Sequence, residues 1–182
     1  MNLIFRTILH RIFSTRRSPL GITDVGSMTM RVLPTDVDLL RHMNNGRYFS
    51  IMDIGRMDLL IRAGGWQKLE RKGFYPVMAN ETISFRKSLD LWKKFQLESR
   101  VVGYDEKAVF VEQRFVVDGQ IYAQAMTRAR FLKRGGGTVP VAELLETIGW
   151  DDEQPVMPAW VQEWADHVAL PVSRAEAPST WE

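Results

Sequence analysis

The chain has 182 residues, 45% of them hydrophobic, no cysteine, and a formal net charge of +2. That length and apolar content fit one folded domain and exclude a disordered chain. The missing cysteines exclude a disulfide framework and cysteine-zinc sites, and the weak basicity argues against a nucleic-acid partner.

Residues 1–20 form a separate segment. Within "MNLIFRTILHRIFSTRR", Ile4, Phe5, Ile8, Leu9, Ile12 and Phe13 share one helical face, with Arg6, His10, Arg11 and Arg17 opposite. The apolar run is too interrupted to span a bilayer. Three readings stay open here: packing on the domain or a partner subunit, peripheral contact with an anionic membrane, and an import presequence. The expected location is cytoplasmic, membrane-associated if the second reading holds.

A domain is expected over 26–133. "GSMTMRVLP" (26–34) alternates as a strand does and stops at Pro34. After a polar loop, residues 46–63 read as a helix apolar on most sides, ended by Gly64-Gly65, and such a helix is usually enclosed. The period then changes to two. Segments 79–88, 94–104, 108–117 and 120–133 read as an antiparallel four-strand meander, with a tight turn at Asp118-Gly119. Ala123, Ala125 and Ala129 on the last strand would let another element come close. The order β-α-β-β-β-β is an α+β arrangement in which a curved sheet wraps one central helix. Residues 134–182 read as an extension of two short helices, with Trp150, Trp160 and Trp164 packing, and a tail. The histidines His10, His42 and His167 have no metal-ligand spacing.

The loop "TDVDLLRHMNNGRY" (35–48) holds the candidate chemistry. Asn44 and Asn45 suit a helix start, where unpaired amides cap a side chain or face a ligand oxygen. A nearby carboxylate can serve as general base or nucleophile while those amides hold an oxyanion, which suits acyl transfer. Capping without chemistry stays open from the residues alone.

Residues 35–60 resemble the signature of hot-dog-fold acyl-CoA thioesterases of the 4-hydroxybenzoyl-CoA thioesterase type. They look closer to the bacterial long-chain acyl-CoA subgroup, whose loop pattern falls on Asp36, Asp38, His42, Asn44, Asn45 and Tyr48. The resemblance implies a hot-dog fold, a homodimer or higher homo-oligomer with its site at the subunit interface, and no metal or redox cofactor. It places the catalytic carboxylate on Asp38, the oxyanion donor on the Asn45 backbone amide and a substrate-side role on Tyr48; His42 is an orienting or ligand-facing residue, or a buried histidine that only bonds the loop. Asp36 is expected to shape the loop, with the catalytic role as its alternative, and Asp53, Arg56 and Asp58 to form local ion pairs, with a second carboxylate site on the helix as theirs. The implied function is hydrolysis of an acyl-CoA to free acid and CoA. A non-catalytic acyl-binding or scaffold protein is the alternative, since a fold does not settle its chemistry.

Overall fold

The computed structural model describes residues 4–151, 153–171 and 175–179. Helix α1 spans Ile4–Ser14, strand β1 Gly26–Arg31, α2 Asn45–Arg62 and α3 Gly65–Lys72. Strands β2 (Phe74–Phe85), β3 (Lys94–Tyr104), β4 (Val109–Val117), β5 (Gln120–Lys133) and β6 (Thr138–Val139) follow, then α4 (Val141–Ile148) and α5 (Ala159–His167).

All strand pairs are antiparallel, in the order β1-β3-β4-β5-β2, with β6 also on β5. The expected hairpin is present: Val117 faces Gln120, and Asp118 and Gly119 both take positive φ (49° and 72°). The four-strand meander is not. Only β3, β4 and β5 run as neighbours, and β2 pairs with β5 rather than β3. The 86–93 segment carries the chain across the sheet, so β1 and β2 become opposite edges and the curved sheet can flank the helix from both sides. β2 also begins at Phe74, earlier than expected, with a register shift between Met78 and Asn80.

α2 lies on the inner face. Tyr48, Ile51, Met52 and Ile54 are buried against Met28, Met30, Phe95, Leu97 and Phe115 in the main core. Its middle comes close to the sheet at Gly55, where a Cβ would stand 2.6 Å from Leu97 Cδ2 and 2.8 Å from both Gln113 Nε2 and Ser99 Oγ. Gln113, itself fully buried, locks that contact by donating to the Met52 carbonyl (3.0 Å) and to Ser99 Oγ (2.8 Å). Gly64 ends α2 as expected, with a φ of 70°, but α3 starts at the next residue. Leu69 of α3 joins Leu144 and Ile148 of α4 in a second cluster, with Phe74, Val109 and Phe131 of the sheet.

The outer face of the sheet is covered by α5, where Val161 and Ala165 meet Val102, Phe110 and Met126. Trp164 packs at this cluster and Trp150 stacks edge-on against Tyr104, but Trp160 stays 47% exposed.

α1 packs by its polar side. Ser14 Oγ donates to Asp58 Oδ1 (2.6 Å), Arg17 pairs with the same oxygen (2.9 Å), and Arg6 pairs with Asp36 (2.8 Å). Burial, with Arg6 and Arg17 nearby, holds His10 below its ordinary value. The apolar face is left outside, from 45% exposed at Phe13 to 84% at Phe5.

Candidate active site

The loop before α2 is a small closed hairpin. Val37 and Met43 form a bridge, Asp38 N donates to the His42 carbonyl (3.1 Å), and Arg41 N donates to the Asp38 carbonyl (3.0 Å). Arg41 takes a φ of 65°, the left-handed residue that closes such a turn. A second bridge, His42 to Asp90, and a bond from Met43 N to the Leu89 carbonyl (2.8 Å) tie the hairpin to the crossover segment. Asn44 then caps α2, its side chain accepting from Gly46 N (3.0 Å).

The two aspartates of the loop have opposite surroundings. Asp36 is wholly buried and takes bonds from Leu33 N (2.9 Å) and the Arg6 guanidinium (2.8 Å). Asp38 keeps 30% of its side chain open and accepts one bond, from Leu40 N (2.9 Å), with His42 Nδ1 3.8 Å away. Asp36 therefore has its charge committed to the fold, whereas Asp38 retains lone pairs facing solvent. Asn45 is the first residue of α2 and, as at any helix start, its amide has no intrahelical acceptor. Asp38 and His42 thus face each other across the hairpin, which runs directly into the helix start. Tyr48 is not with them: it is 2% exposed, lies edge-on to Phe85 and Phe115, and its hydroxyl meets the Leu89 backbone. Burial pushes that hydroxyl up to about 12.

A cavity of about 270 Å³ lies under the other half of α2. Its walls are almost all apolar, including Met57, Leu60, Trp66, Val111, Ala129 and Phe131, with Asp53 and Arg56 as its charged wall residues. For scale, a dry cavity of about 150 Å³ binds benzene. Arg56 pairs with Asp53 as the sequence suggested, but also with Glu81 of β2 (2.9 Å), and donates to Gln113 Oε1 (2.8 Å) and Thr127 Oγ1 (3.0 Å). Asp58 does not join this group and instead binds α1 and Arg62. Burial pushes the Glu81 carboxyl above its ordinary value, outweighing the pull of Arg56. Glu81, Gln113 and Thr127 were not singled out from the sequence, because they meet Arg56 only through strand pairing.

Residues 32–165 match the family model described as thioesterase-like superfamily. Protein THEM6 of Xenopus laevis is 41% identical over 99 residues, covering 54% of this chain and 48% of that protein, so the match spans about half of the frog protein. The structure of the probable thioesterase YbaW from Escherichia coli superposes with a TM-score of 0.62 at 21% identity, covering 67% of this chain and 95% of that one. That of a 4-hydroxybenzoyl-CoA thioesterase variant with 4-hydroxybenzoyl-CoA bound superposes at 0.60 and 15%, covering 68% and 98%. The sheet wrapped on α2 is the hot-dog fold of these thioesterases.

Proposed function

The chain belongs to the thioesterase-like superfamily, and from that premise we propose that it hydrolyses an acyl-CoA thioester to the free acid and CoA. The observation that carries this reading is the uncommitted Asp38 carboxylate, held by its own loop beside the start of a buried helix. In this reading Asp38 either takes a proton from the attacking water, or attacks the carbonyl carbon itself to form an aspartyl–acyl anhydride that a water then cleaves, releasing the acid, restoring the carboxylate and supplying the proton that CoA takes. The Asn45 amide, aided by the helix dipole, stabilises the oxyanion. Collapse of the tetrahedral species breaks the carbon–sulfur bond, and CoA leaves with a proton. His42, 3.8 Å from Asp38, orients that carboxylate.

The acyl group is assigned to the cavity, whose walls suit a hydrocarbon and whose volume suits more than a two-carbon unit. Asp53 lies about two turns, or ~12 Å, beyond Asn45 along α2, and the core beneath Tyr48, Ile51 and Met52 is filled. One chain therefore keeps its carboxylate and its cavity at opposite ends of the helix. A homodimer joined along the β2 edge would bring a partner next to Pro76 and Met78 of the cavity wall and to Glu81, which holds the wall residue Arg56, since among the described residues β2 is paired only on its β5 side. Such a dimer lets one copy's Asp38 serve the other's cavity. Tyr48 supports this arrangement from within the core rather than by touching substrate.

Among the described residues no helix is long and apolar enough to cross a membrane. The outward apolar face of α1 instead supports peripheral contact with a lipid surface. Anionic vesicles should bind the full chain and release an Ile8→Glu, Ile12→Glu variant; equal binding of both would remove that contact.

The reading is tested by thiol release from acyl-CoAs of graded length. Turnover should rise from acetyl-CoA as the chain fills the cavity. Binding of acyl-CoA without any release of CoA would leave the acyl-binding alternative in its place.

A further inference from the structure

Asp36 connects three parts of the molecule. Its carboxylate accepts from Leu33 N within the loop and from Arg6 Nη1 on α1, thirty residues away (2.8 Å). Its backbone carbonyl accepts from Asn44 N (2.9 Å), the cap residue that starts α2. The Arg6 guanidinium is a bridge as well, because its Nη2 donates to the Arg31 carbonyl at the end of β1 (2.9 Å). The pair is secluded, with 12% of the Arg6 side chain and none of the Asp36 side chain exposed. Asp38 stands two residues beyond this junction, inside the hairpin that Val37 and Met43 close.

We propose that Arg6 is a positioning residue for the catalytic loop: by clamping Asp36 to the end of β1 it sets where Asp38 stands relative to the start of α2. The proposal rests on Asp38 being the reacting carboxylate. A carboxylate that must meet a carbonyl at near-contact distance is sensitive to displacement, and a misplacement of about 1 Å can cost about a hundredfold in rate. A planar fork that donates to two different acceptors is what arginine supplies and lysine cannot. It follows that the N-terminal helix is part of the active-site scaffold, although none of its residues touches Asp38.

α1 provides its own control. Its far end is held on Asp58 by Ser14 and, three residues past the helix, by Arg17, so Arg17→Met loosens that end without touching the Arg6 bridge. In the full chain, Arg6→Met should lower kcat about tenfold to a hundredfold with KM changed by less than about threefold. Arg6→Lys should fall between it and the wild type, and Arg17→Met should keep wild-type kcat. Amide hydrogen exchange at Asp38, Arg41 and Asn44 should quicken by at least about tenfold in Arg6→Met and not in Arg17→Met. If Arg6→Met unfolds because it strands the Asp36 charge, Arg6→Met combined with Asp36→Asn removes that charge and carries the same expectations. Unchanged exchange at those amides, or equal effects from Arg6→Met and Arg17→Met, would overturn the proposal. A wild type that releases no CoA would sink the hydrolase reading alone, and the exchange data would still decide the role of Arg6.

Discussion

The two ends of α2 treat charge in opposite ways. At its start, Asp38 accepts a single bond from its own loop and leaves about a third of its side chain open. Toward its end, Asp53 and Glu81 both pair with Arg56, which also holds Gln113 and Thr127. The Asp38 carboxylate is open to a substrate arriving from solvent, whereas Asp53 and Glu81 are engaged by a buried arginine. The space beneath the helix divides in the same way. It is filled with Ile51, Met52, Phe95 and Phe115 at the start and open beside Met57 and Ala129 at the end. On the proposed reading, one helix thus separates the place for chemistry from the place for hydrocarbon.

The largest effect that would break this contrast is on turnover. Asp38→Asn should lower kcat about 10²–10⁴-fold, the usual contribution of a positioned general base. Asp53→Asn and Glu81→Gln should each cost less than about tenfold. A helix variant that loses as much as Asp38→Asn would move the chemistry to the other end of α2.

Next is the division between copies. Met57→Trp should plug the cavity and lower kcat/KM for a long acyl-CoA by about tenfold or more, while sparing acetyl-CoA. Re-equilibrated with Asp38→Asn, it should then regain roughly a quarter of wild-type long-chain activity, because in a two-fold dimer half the copies pair unlike and each such dimer has one intact site. Activity that stays at the sum of the two variants would place carboxylate and cavity in one copy.

Stability gives the third comparison. Gly55 stands where α2 turns from its filled end to its open end, and a methyl group there must push back Leu97 and both Gln113 and Ser99, which are bonded to each other. Gly55→Ala should lower the unfolding free energy by about 1–2 kcal/mol, overpacking outweighing the gain in helix propensity. Denaturant midpoints measure it.

The smallest effect is on pH dependence. Burial raises Glu81 above the ordinary 4.5, so the folded state keeps that proton longer than the unfolded state does. Stability should therefore fall, relative to Glu81→Gln, as pH climbs from 4.5 through the raised value, and the two should converge below 4.5. Glu112 has the opposite sign. Burial pushes it up, but Arg100 and Arg114 outweigh this and hold it below 4.5, so its contribution is present above 4.5 and lost as pH falls through the lowered value.

Much of the fold was legible because its signals are local. Alternation marked β3 and β5 to the residue, the Asp118-Gly119 pair marked the β4–β5 hairpin, and the apolar surface of α2 announced its enclosure. The crossing of β2 to β5 was not legible, because alternation says which face a residue takes and nothing about which strand lies beside it. α3 was hidden by Gly64-Gly65, which looks like a stop and acts as the joint between two helices. In the site, Asp38, His42 and the Asn44 cap follow from a contiguous motif. Arg6, Glu81 and Gln113 do not, since each reaches its partner across the fold. Tyr48 shows the converse: a motif position whose side chain serves the core.

The most direct measurement takes one sample of Asp38→Asn and determines both its Kd for a long-chain acyl-CoA and its single-turnover rate of thiol release with enzyme in excess. Binding and chemistry are then read separately. If α2 divides its work as described, Kd stays near the wild-type value, because the acyl group rests on the far end of the helix, while release slows about 10²–10⁴-fold. Release at the wild-type rate, or a loss of rate that vanishes once the weakened Kd is overcome, would contradict Asp38 as the group that attacks or activates.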